Sequence, residues 1–205
     1  MKYFIDTEFK EYLKQHRLFG VPIGYKTPTI DLISIGIVDE KGNSFYALNK
    51  SVDLKEVWKD EWLKDNVLLS IYKDKVSGDL RNTFDFTYRT MKWIFSTEGM
   101  DKYFIRVGIE MFINDTLPFD DKVEFYGYYA DYDWVVFCQL FGRMLDLPKG
   151  FPMYCKDLKQ MMDDKDLDKE WKRINCPDPE DEHNALEDAK WNLKLFNAIQ
   201  KEKEV

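Results

Sequence analysis

The N-terminal segment constrains the fold more than any other part of the sequence. Lys2-Tyr3-Phe4-Ile5-Asp6 is short, apolar and rich in residues that favour strands, so it predicts a buried β-strand that ends at Asp6. Residues 31–38 alternate apolar and small side chains and predict a second, central strand. A turn at residues 39–43 then leads into a returning strand at residues 44–48. The chain therefore begins with strands of one sheet.

The rest of the chain predicts mainly helices. Apolar spacing of three and four residues predicts helices over residues 53–72, 97–113, 133–145 and 184–200, and residues 123–128 predict a further strand. The buried face of the second helix is predicted to hold Met100, Phe104, Val107 and Met111. The buried face of the last is predicted to hold Leu186, Ala189, Leu193 and Phe196. Residues 10–30 contain two glycines and two prolines and are interpreted as a loop, while residues 78–95 favour no element.

These elements predict an α/β fold with a mixed central sheet flanked by helices. The 205 residues show no internal repeat or linker, so we expect one domain spanning residues 1–205. No apolar run approaches the roughly 18–20 residues that span a bilayer, and Asp6 comes too early for a signal peptide. Three widely spaced cysteines argue against a disulfide framework and a structural zinc site. We therefore expect a cytoplasmic protein with no membrane partner.

Carboxylates follow the first strand. Asp6 and Glu8 lie two residues apart, so their side chains share one face of the sheet. Two carboxylates beside a hydrophobic strand are costly unless positive charge lies between them, and hard oxygen ligands suit Mg²⁺ or Mn²⁺. Asp133 follows the strand at residues 123–128 and opens a helix, while His183 and Asp188 bracket the start of the last helix. The pattern predicts a site for two divalent cations.

Two observations leave alternatives open. Asp131 competes with Asp133, which is favoured because Tyr132 precedes it and four apolar residues follow it. The formal net charge of −8 argues against non-specific nucleic-acid binding, since lysine and arginine supply most of that affinity. Bound divalent cations would remove this objection by reversing the local sign of the charge.

In order and context, these residues resemble the motifs of the DEDD exonuclease superfamily, which has the ribonuclease H-like fold. The first motif matches Asp6-Thr7-Glu8, the second matches Asp133 at a strand-to-helix junction, and the third matches His183 followed five positions later by Asp188. Histidine in the third motif indicates the DEDDh branch, and the chain looks most similar to its small bacterial and phage exoribonucleases. Many members have His-Asn shortly before the second motif, whereas this chain has Tyr128-Tyr129. That departure weakens any transfer of substrate contacts from proofreading DNA exonucleases.

The resemblance implies two-metal phosphodiester hydrolysis at the 3′ end of a nucleic acid, with release of nucleoside monophosphates. Asp6 would bridge both Mg²⁺ or Mn²⁺ ions, and Glu8, Asp133 and Asp188 would complete their ligands. His183 would act as the general base. Single-stranded RNA or a 3′ overhang is the favoured substrate. A proofreading or repair DNA exonuclease and, less favoured, a non-catalytic nucleic-acid-binding module remain the alternatives.

Other residues carry weaker predictions. Thr7, Phe9 and Tyr129 are candidate substrate contacts; Phe9 could stack on the terminal base or pack in the core, and the sequence does not separate the two. Lysines and an arginine near the third motif could meet phosphates, but solvated helix charges are the favoured interpretation: Lys172, Arg173, Lys190 and Lys194. Four aromatic residues suggest a homodimer through exposed apolar surface: Trp58, Trp62, Trp93 and Phe95.

Overall fold

A computed structural model of the chain describes residues 1–76, 84–179 and 183–202. The strands form a five-stranded sheet and a separate two-stranded hairpin. In chain order, the strands are β1 (Lys2–Lys14), β2 (Arg17–Leu18), β3 (Val21–Pro22), β4 (Thr27–Asp39), β5 (Ser44–Leu48), β6 (Glu124–Gly127) and β7 (Lys156–Asp157). The larger sheet has the order β5-β4-β1-β6-β7.

The large sheet is mixed. The strand β1 pairs antiparallel with β4 and parallel with β6, while β4 pairs antiparallel with β5 and β6 pairs parallel with β7. A short turn at residues 40–43 connects the antiparallel strands β4 and β5. The parallel strands are joined through helices, as parallel pairing requires. The predicted α/β fold with a mixed central sheet flanked by helices is confirmed, and this arrangement is consistent with a ribonuclease H-like fold.

Helices flank the sheet on both faces. In chain order, they are α1 (Leu54–Lys59), α2 (Glu61–Leu63), a π-helical turn (Lys64–Leu68), α3 (Leu69–Lys75), α4 (Tyr88–Thr97), α5 (Lys102–Thr116), α6 (Asp131–Phe141), a 3-10 turn (Met144–Asp146), α7 (Leu158–Asp163), α8 (Lys169–Asn175) and α9 (Ala185–Lys201). Across the described residues, every helix is too short or too polar to span a bilayer. Cys138, Cys155 and Cys176 are free thiols.

The strand β1 is buried on both faces, which explains its continuous apolar start. Tyr3 and Ile5 point into a core that α5 and α6 cover, whereas Phe4 points into a second core that α9 covers. Successive strand side chains alternate between the faces, so a strand between two helical layers needs apolar residues at every position. Tyr3, Phe4 and Ile5 satisfy that requirement, since all three are apolar and buried.

The predicted loop over residues 10–30 is wrong. Strand β1 continues to Lys14, β4 begins at Thr27, and the two strands form an antiparallel ribbon that projects beyond the other strands. The hairpin of β2 and β3 lies at the tip, where Gly20 and Gly24 have φ angles of 81° and 63°. Pro28 lies within β4 opposite Leu13. Proline is compatible with a strand that has an open edge, so it did not exclude the ribbon.

The predicted buried faces of two helices also need correction. In α5, Phe104 and Met111 are exposed, while Ile105, Ile109 and Ile113 face the core. Both stripes repeat at helical spacing on different faces of the same helix, so periodicity alone could not choose between them. In α9, Ala189 and Phe196 are buried as predicted, but Leu186 and Leu193 are half-buried. The rest of that buried face consists of Ala185, Trp191, Asn192, Leu195 and Ile199.

Several other boundaries differ from the predictions. The helix expected over residues 53–72 is interrupted at Asp60, whose side chain caps α2 by accepting a bond from the Leu63 N–H. Within residues 78–95, where the sequence favoured no element, residues 78–83 lie outside the described part, and α4 begins at Tyr88. Among the aromatic residues suggested for a dimer surface, Trp62 and Trp93 are exposed, Trp58 is half-buried and Phe95 is buried.

Candidate active site

The candidate site lies where one edge of β1 opens. Pairing between β1 and β6 ends at Phe4 and Tyr126, so the following residues of β1 have no strand neighbour on that side. The Thr7 N–H at this edge donates instead to Asp133 Oδ1, at 2.8 Å. The unpaired edge of β1 and the start of α6 thus bring Asp6, Glu8 and Asp133 near one another, as predicted. The predicted strand end at Asp6 is wrong, because β1 continues to Lys14.

Three carboxylates meet on the face of β1 that α9 covers. One carboxylate oxygen from each of Asp6, Glu8 and Asp188 lies within 4.8 Å of the others. Asp6 and Glu8 share this face because side chains alternate along a strand. One turn after Asp188, Asn192 donates from Nδ2 to the Ile5 carbonyl at 2.9 Å, which ties α9 to β1. The contact fixes Asp188 opposite the strand carboxylates.

Asp133, in the first turn of α6, lies beside this group, near enough for its charge to raise the pKa values of Asp6 and Glu8. Its Oδ1 atom accepts bonds from both the Thr7 N–H, at 2.8 Å, and the Thr7 hydroxyl, at 2.6 Å. The turn before it is held by Asp157, whose Oδ2 accepts a bond from the Ala130 N–H at 2.8 Å. Asp131 is exposed and Asp133 is buried. The geometry therefore favours Asp133 over Asp131, as the sequence did.

The electrostatics of the group are those of buried like charges. Burial, reinforced by Asp133, Glu8 and Asp188, raises the pKa of Asp6 well above its usual range. Burial, together with Asp188 and Asp133, raises the pKa of Glu8 to about 8. Burial also raises the pKa of Asp133 to about 6, against the opposing effect of the two Thr7 hydrogen bonds. All three carboxyl groups are held in surroundings that disfavour their ionised form.

This donor set fits hard divalent cations. The described charges that perturb Asp6 and Glu8 are carboxylates, so mutual repulsion is relieved by protons or by bound positive charge. Oxygen ligands are those that Mg²⁺ and Mn²⁺ prefer. Asn192 Oδ1 is buried without a hydrogen-bond partner in the described chain, and Asn192 lines the same cleft as Asp6 and Asp188. An unpartnered buried oxygen beside carboxylates is consistent with a polar ligand in this cleft.

His183 lies at the mouth of this cleft, which has a volume of about 330 Å³. Its φ angle is 67°, in the left-handed region, and Asn184 then caps α9 by accepting bonds from the Leu186 and Glu187 N–H groups. The indole of Trp62 meets its imidazole edge-on, with ring centroids 4.7 Å apart. The turn before α9 and a side chain from α2 together orient the histidine.

The three candidate substrate contacts have different surroundings. Thr7 is buried and holds Asp133, so its side chain is a positioning group in this structure. Phe9 packs at the edge of the core and against Tyr132, with ring centroids 5.9 Å apart, which favours the core alternative. Tyr129 is exposed and has a φ angle of 54°, but Tyr128 is the tyrosine that lines the cleft. Substrate contact by any of the three stays a prediction.

Sequence reasoning missed two residues of the site. Trp62 was interpreted as dimer surface, and no local pattern could show that its ring contacts His183, 121 positions later in the chain. Asn192 was overlooked, although a polar residue four positions after Asp188 on the same helix face is a signal that could have found it. Lys190 pairs with Glu187 on the surface of α9, as expected of a solvated helix charge. Lys172 differs from that interpretation, because its side chain is 15% exposed, pairs with Asp178 and lies over the rings of Tyr128 and Trp191.

Gly36 controls how closely α9 approaches the sheet. A Cβ atom at this position of β4 would lie 2.1 Å from the Ala185 carbonyl oxygen and 2.6 Å from Leu186 Cα. We expect Gly36→Ala to lower the free energy of unfolding by about 3 kcal/mol, because backbone cannot move aside as a side chain can. Chemical denaturation followed by circular dichroism measures this change.

The matched control is Gly108→Ala in α5. Its Cβ would meet the far end of the Phe45 ring at 2.7 Å, and that ring can rotate away. Alanine also favours helix by up to about 1 kcal/mol, so the control is expected to stay within about 1 kcal/mol of the wild type. Equal destabilisation by both substitutions would contradict the importance of the contact between Gly36 and α9.

Comparison with known proteins supplies the family. A family model described as the 3′–5′ exoribonuclease Rv2179c-like domain matches residues 22–200. The chain belongs to this family. Two relatives from Mycobacterium tuberculosis are named 3′–5′ exoribonuclease Rv2179c (strain ATCC 25618 / H37Rv) and 3′–5′ exoribonuclease MT2234.1 (strain CDC 1551 / Oshkosh). Each is 28% identical to this chain over 199 residues, covering 97% of this chain and 93% of the relative.

The family match contains part of the candidate site. Asp133, His183 and Asp188 lie within the matched residues 22–200, whereas Asp6 and Glu8 precede them. The Rv2179c-like family is named for exoribonucleases, which agrees with the enzyme class predicted from the sequence. The two strand carboxylates lie outside the family match, but they were predicted from the sequence, and each has a carboxylate oxygen within 4.8 Å of one from Asp188.

Proposed function

We propose that this protein is a metal-dependent 3′–5′ exoribonuclease of the DEDDh branch of the ribonuclease H-like nucleases. The observation that carries the proposal is the convergence of Asp6, Glu8 and Asp188 within 4.8 Å in a chain of the Rv2179c-like family. Asp133 and His183 complete the set of residues that this branch uses. The relatives' names support the direction of attack and the preference for RNA.

The proposed chemistry divides among the site residues. Asp6, Glu8, Asp133 and Asp188 would hold two divalent cations, Mg²⁺ or Mn²⁺. When bound, the cations would polarise the scissile phosphate and lower the pKa of the attacking water. His183, at the mouth of the cleft, accepts the proton that this water loses. Trp62 orients the imidazole through its edge-on contact, and Thr7 orients Asp133.

The proposed substrate is the 3′ end of single-stranded RNA or a 3′ overhang. The cleft beside the carboxylates is lined by Tyr128, Pro179 and Trp191. Trp191 is buried, and Lys172 Nζ lies 5.2 Å and 5.1 Å from the ring centroids of Tyr128 and Trp191, so this side of the cleft offers an ammonium group for a phosphate beside the half-buried ring of Tyr128. A DNA exonuclease with the same carboxylates is the second candidate, since RNA selection requires contacts to the 2′-hydroxyl.

A gel assay tests the proposal. RNA and DNA oligonucleotides of one sequence, labelled at the 5′ end, are incubated with the protein and Mg²⁺ or Mn²⁺. We expect a ladder that shortens from the 3′ end, is faster for RNA, and is lost both in EDTA and with Asp6→Ala. Faster shortening of DNA would support the second candidate. If neither substrate shortens while the folded protein has its metal, a non-catalytic binding module is favoured instead.

A further inference from the structure

The ribbon that β1 and β4 form beyond the sheet differs in charge from the rest of the molecule. We call residues 10–30 the arm. The arm contains Lys10, Lys14, Arg17 and Lys26 against the single carboxylate of Glu11, a net charge of +3. Because the whole chain carries −8, the remaining residues carry −11. The arm is therefore a basic projection on an acidic protein.

The arm also presents aromatic rings to solvent. Phe19 at its tip is 98% exposed and Tyr25 is 94% exposed. Lys14, Arg17 and Lys26 form no ion pair with any described residue, and Arg17 Nη1 donates only to the Gly20 carbonyl, at 2.8 Å. Exposed rings interleaved with uncompensated cations are what proteins offer to single-stranded nucleic acid: stacking surfaces for bases and charge for phosphates.

A groove of about 630 Å³ lies at the base of the arm, between Glu11, Tyr12, Leu13 and residues 28–31 and the α6 residues Tyr132, Val135 and Gln139. Its charged lining residues are the carboxylates Glu11 and Asp31, and it lies on the face of β1 that α6 covers, so it does not supply the contact to phosphates. What joins the arm to the site is β1 itself, which carries Asp6 and Glu8 and continues into the arm. Counting about 3.3 Å per strand residue, Lys14 lies about 20 Å beyond Glu8.

We propose that the arm binds the segment of single-stranded RNA that lies 5′ to the nucleotides held at the active site. The inference rests on the proposed exoribonuclease function and adds a second, more distant contact to it. Phosphates of this segment contact Lys14, Arg17 and Lys26, and its bases stack on Phe19 and Tyr25. The arm acts on long substrates alone, because a dinucleotide at the carboxylates does not reach it.

The test compares a long and a short substrate. Lys14, Arg17 and Lys26 are replaced together by serine, and hydrolysis of a 20-nucleotide RNA and of a dinucleotide is measured in the metal-loaded protein. We expect KM for the long RNA to rise at least about tenfold, with the dinucleotide rate within about twofold of the wild type. The logarithmic salt dependence of long-RNA binding should become shallower by about 2, because three phosphate contacts are lost at roughly 0.7 each.

A matched variant controls for net charge. Lys41, Lys92 and Lys149 are exposed and form no ion pair within the described residues, so replacing them with serine removes the same charge elsewhere. This control should leave both substrates unchanged. A second variant, Phe19→Ser with Tyr25→Ser, tests stacking separately and should weaken long-RNA binding at constant charge. Equal KM changes in the arm variant and the control would overturn the inference.

Two further outcomes separate this inference from competing explanations. If the wild type hydrolyses neither RNA, the proposed function fails; fluorescence anisotropy with the long RNA in EDTA then tests the arm alone, and unchanged binding in the arm variant overturns its role. Light scattering can also show that the wild type is a dimer and the arm variant a monomer. If the arm variant then also loses dinucleotide hydrolysis, the arm is an interface between two copies. That result would overturn RNA binding by the arm.

Discussion

Glu8→Gln is expected to lower the rate of RNA hydrolysis by at least about 10³-fold while stabilising the metal-free protein. The loss of activity follows because the amide cannot supply the negative charge that holds a cation at the scissile phosphate. The gain in stability follows because burial, reinforced by Asp188 and Asp133, raises the pKa of Glu8 to about 8. At pH 9, removal of this buried charge should add on the order of 3 kcal/mol to the free energy of unfolding.

Both effects are measurable on one preparation. Single-turnover hydrolysis of a labelled RNA with Mg²⁺ gives the rate, and urea denaturation in EDTA at pH 9 gives the free energy of unfolding. Glu98→Gln is the control, since this exposed carboxylate at the end of α4 carries the same change without the burial. A variant that is inactive but also less stable than the wild type would contradict a site built from mutually repelling carboxylates.

The metal-free protein is expected to lose stability as the pH rises from about 5 to about 8. The pKa of Glu8 is raised from 4.5 to about 8, and that of Asp133 from 3.8 to about 6, so between these values the folded state binds more protons than the unfolded state. Stability falls with pH wherever the folded state binds more protons, and these groups therefore favour the folded state least above about pH 8.

Divalent cations should reverse this loss. A cation that binds the ionised carboxylates stabilises the folded state by mass action, and it competes with protons at low pH. We expect Mg²⁺ or Mn²⁺ to raise the melting temperature by several degrees at pH 8 and by much less at pH 5. Scanning calorimetry in EDTA and in each metal provides the comparison. A metal effect that is equal at both pH values, or that persists in full in Glu8→Gln, would count against cation binding at this site.

The carboxylates could be predicted from the sequence because each follows from a local pattern, even though β1 continues past Asp6 and Glu8 to Lys14. Asp6 and Glu8 share a face through the two-residue period of a strand, and Asp133 follows a strand and starts a helix. These relations extend over a few residues and survive small errors in helix ends: α6 begins at Asp131, two residues before the predicted start, yet Asp133 still lies in its first turn. The local sequence pattern was therefore sufficient to predict on which element, and on which face of it, each of these carboxylates lies.

The rest of the site depends on packing between distant segments. The contact of Trp62 with His183 and the close approach of Gly36 to Ala185 join parts of the chain with no shared local pattern. The arm was missed for another reason. Gly20, Pro22, Gly24 and Pro28 suggest a loop, but a two-stranded ribbon with open edges tolerates prolines, and its tip uses the glycines in turns.

The bond between Asn192 and the Ile5 carbonyl has a consequence for when the protein becomes a nuclease. It fastens the last described helix to the first strand, and Asp188 reaches Asp6 and Glu8 only when that helix is seated. A chain in which α9 is detached from β1 therefore has an incomplete ligand set, however well the sheet itself is folded. On the proposed function, nuclease activity appears only with the docking of this helix, so the site cannot form in a partly folded molecule.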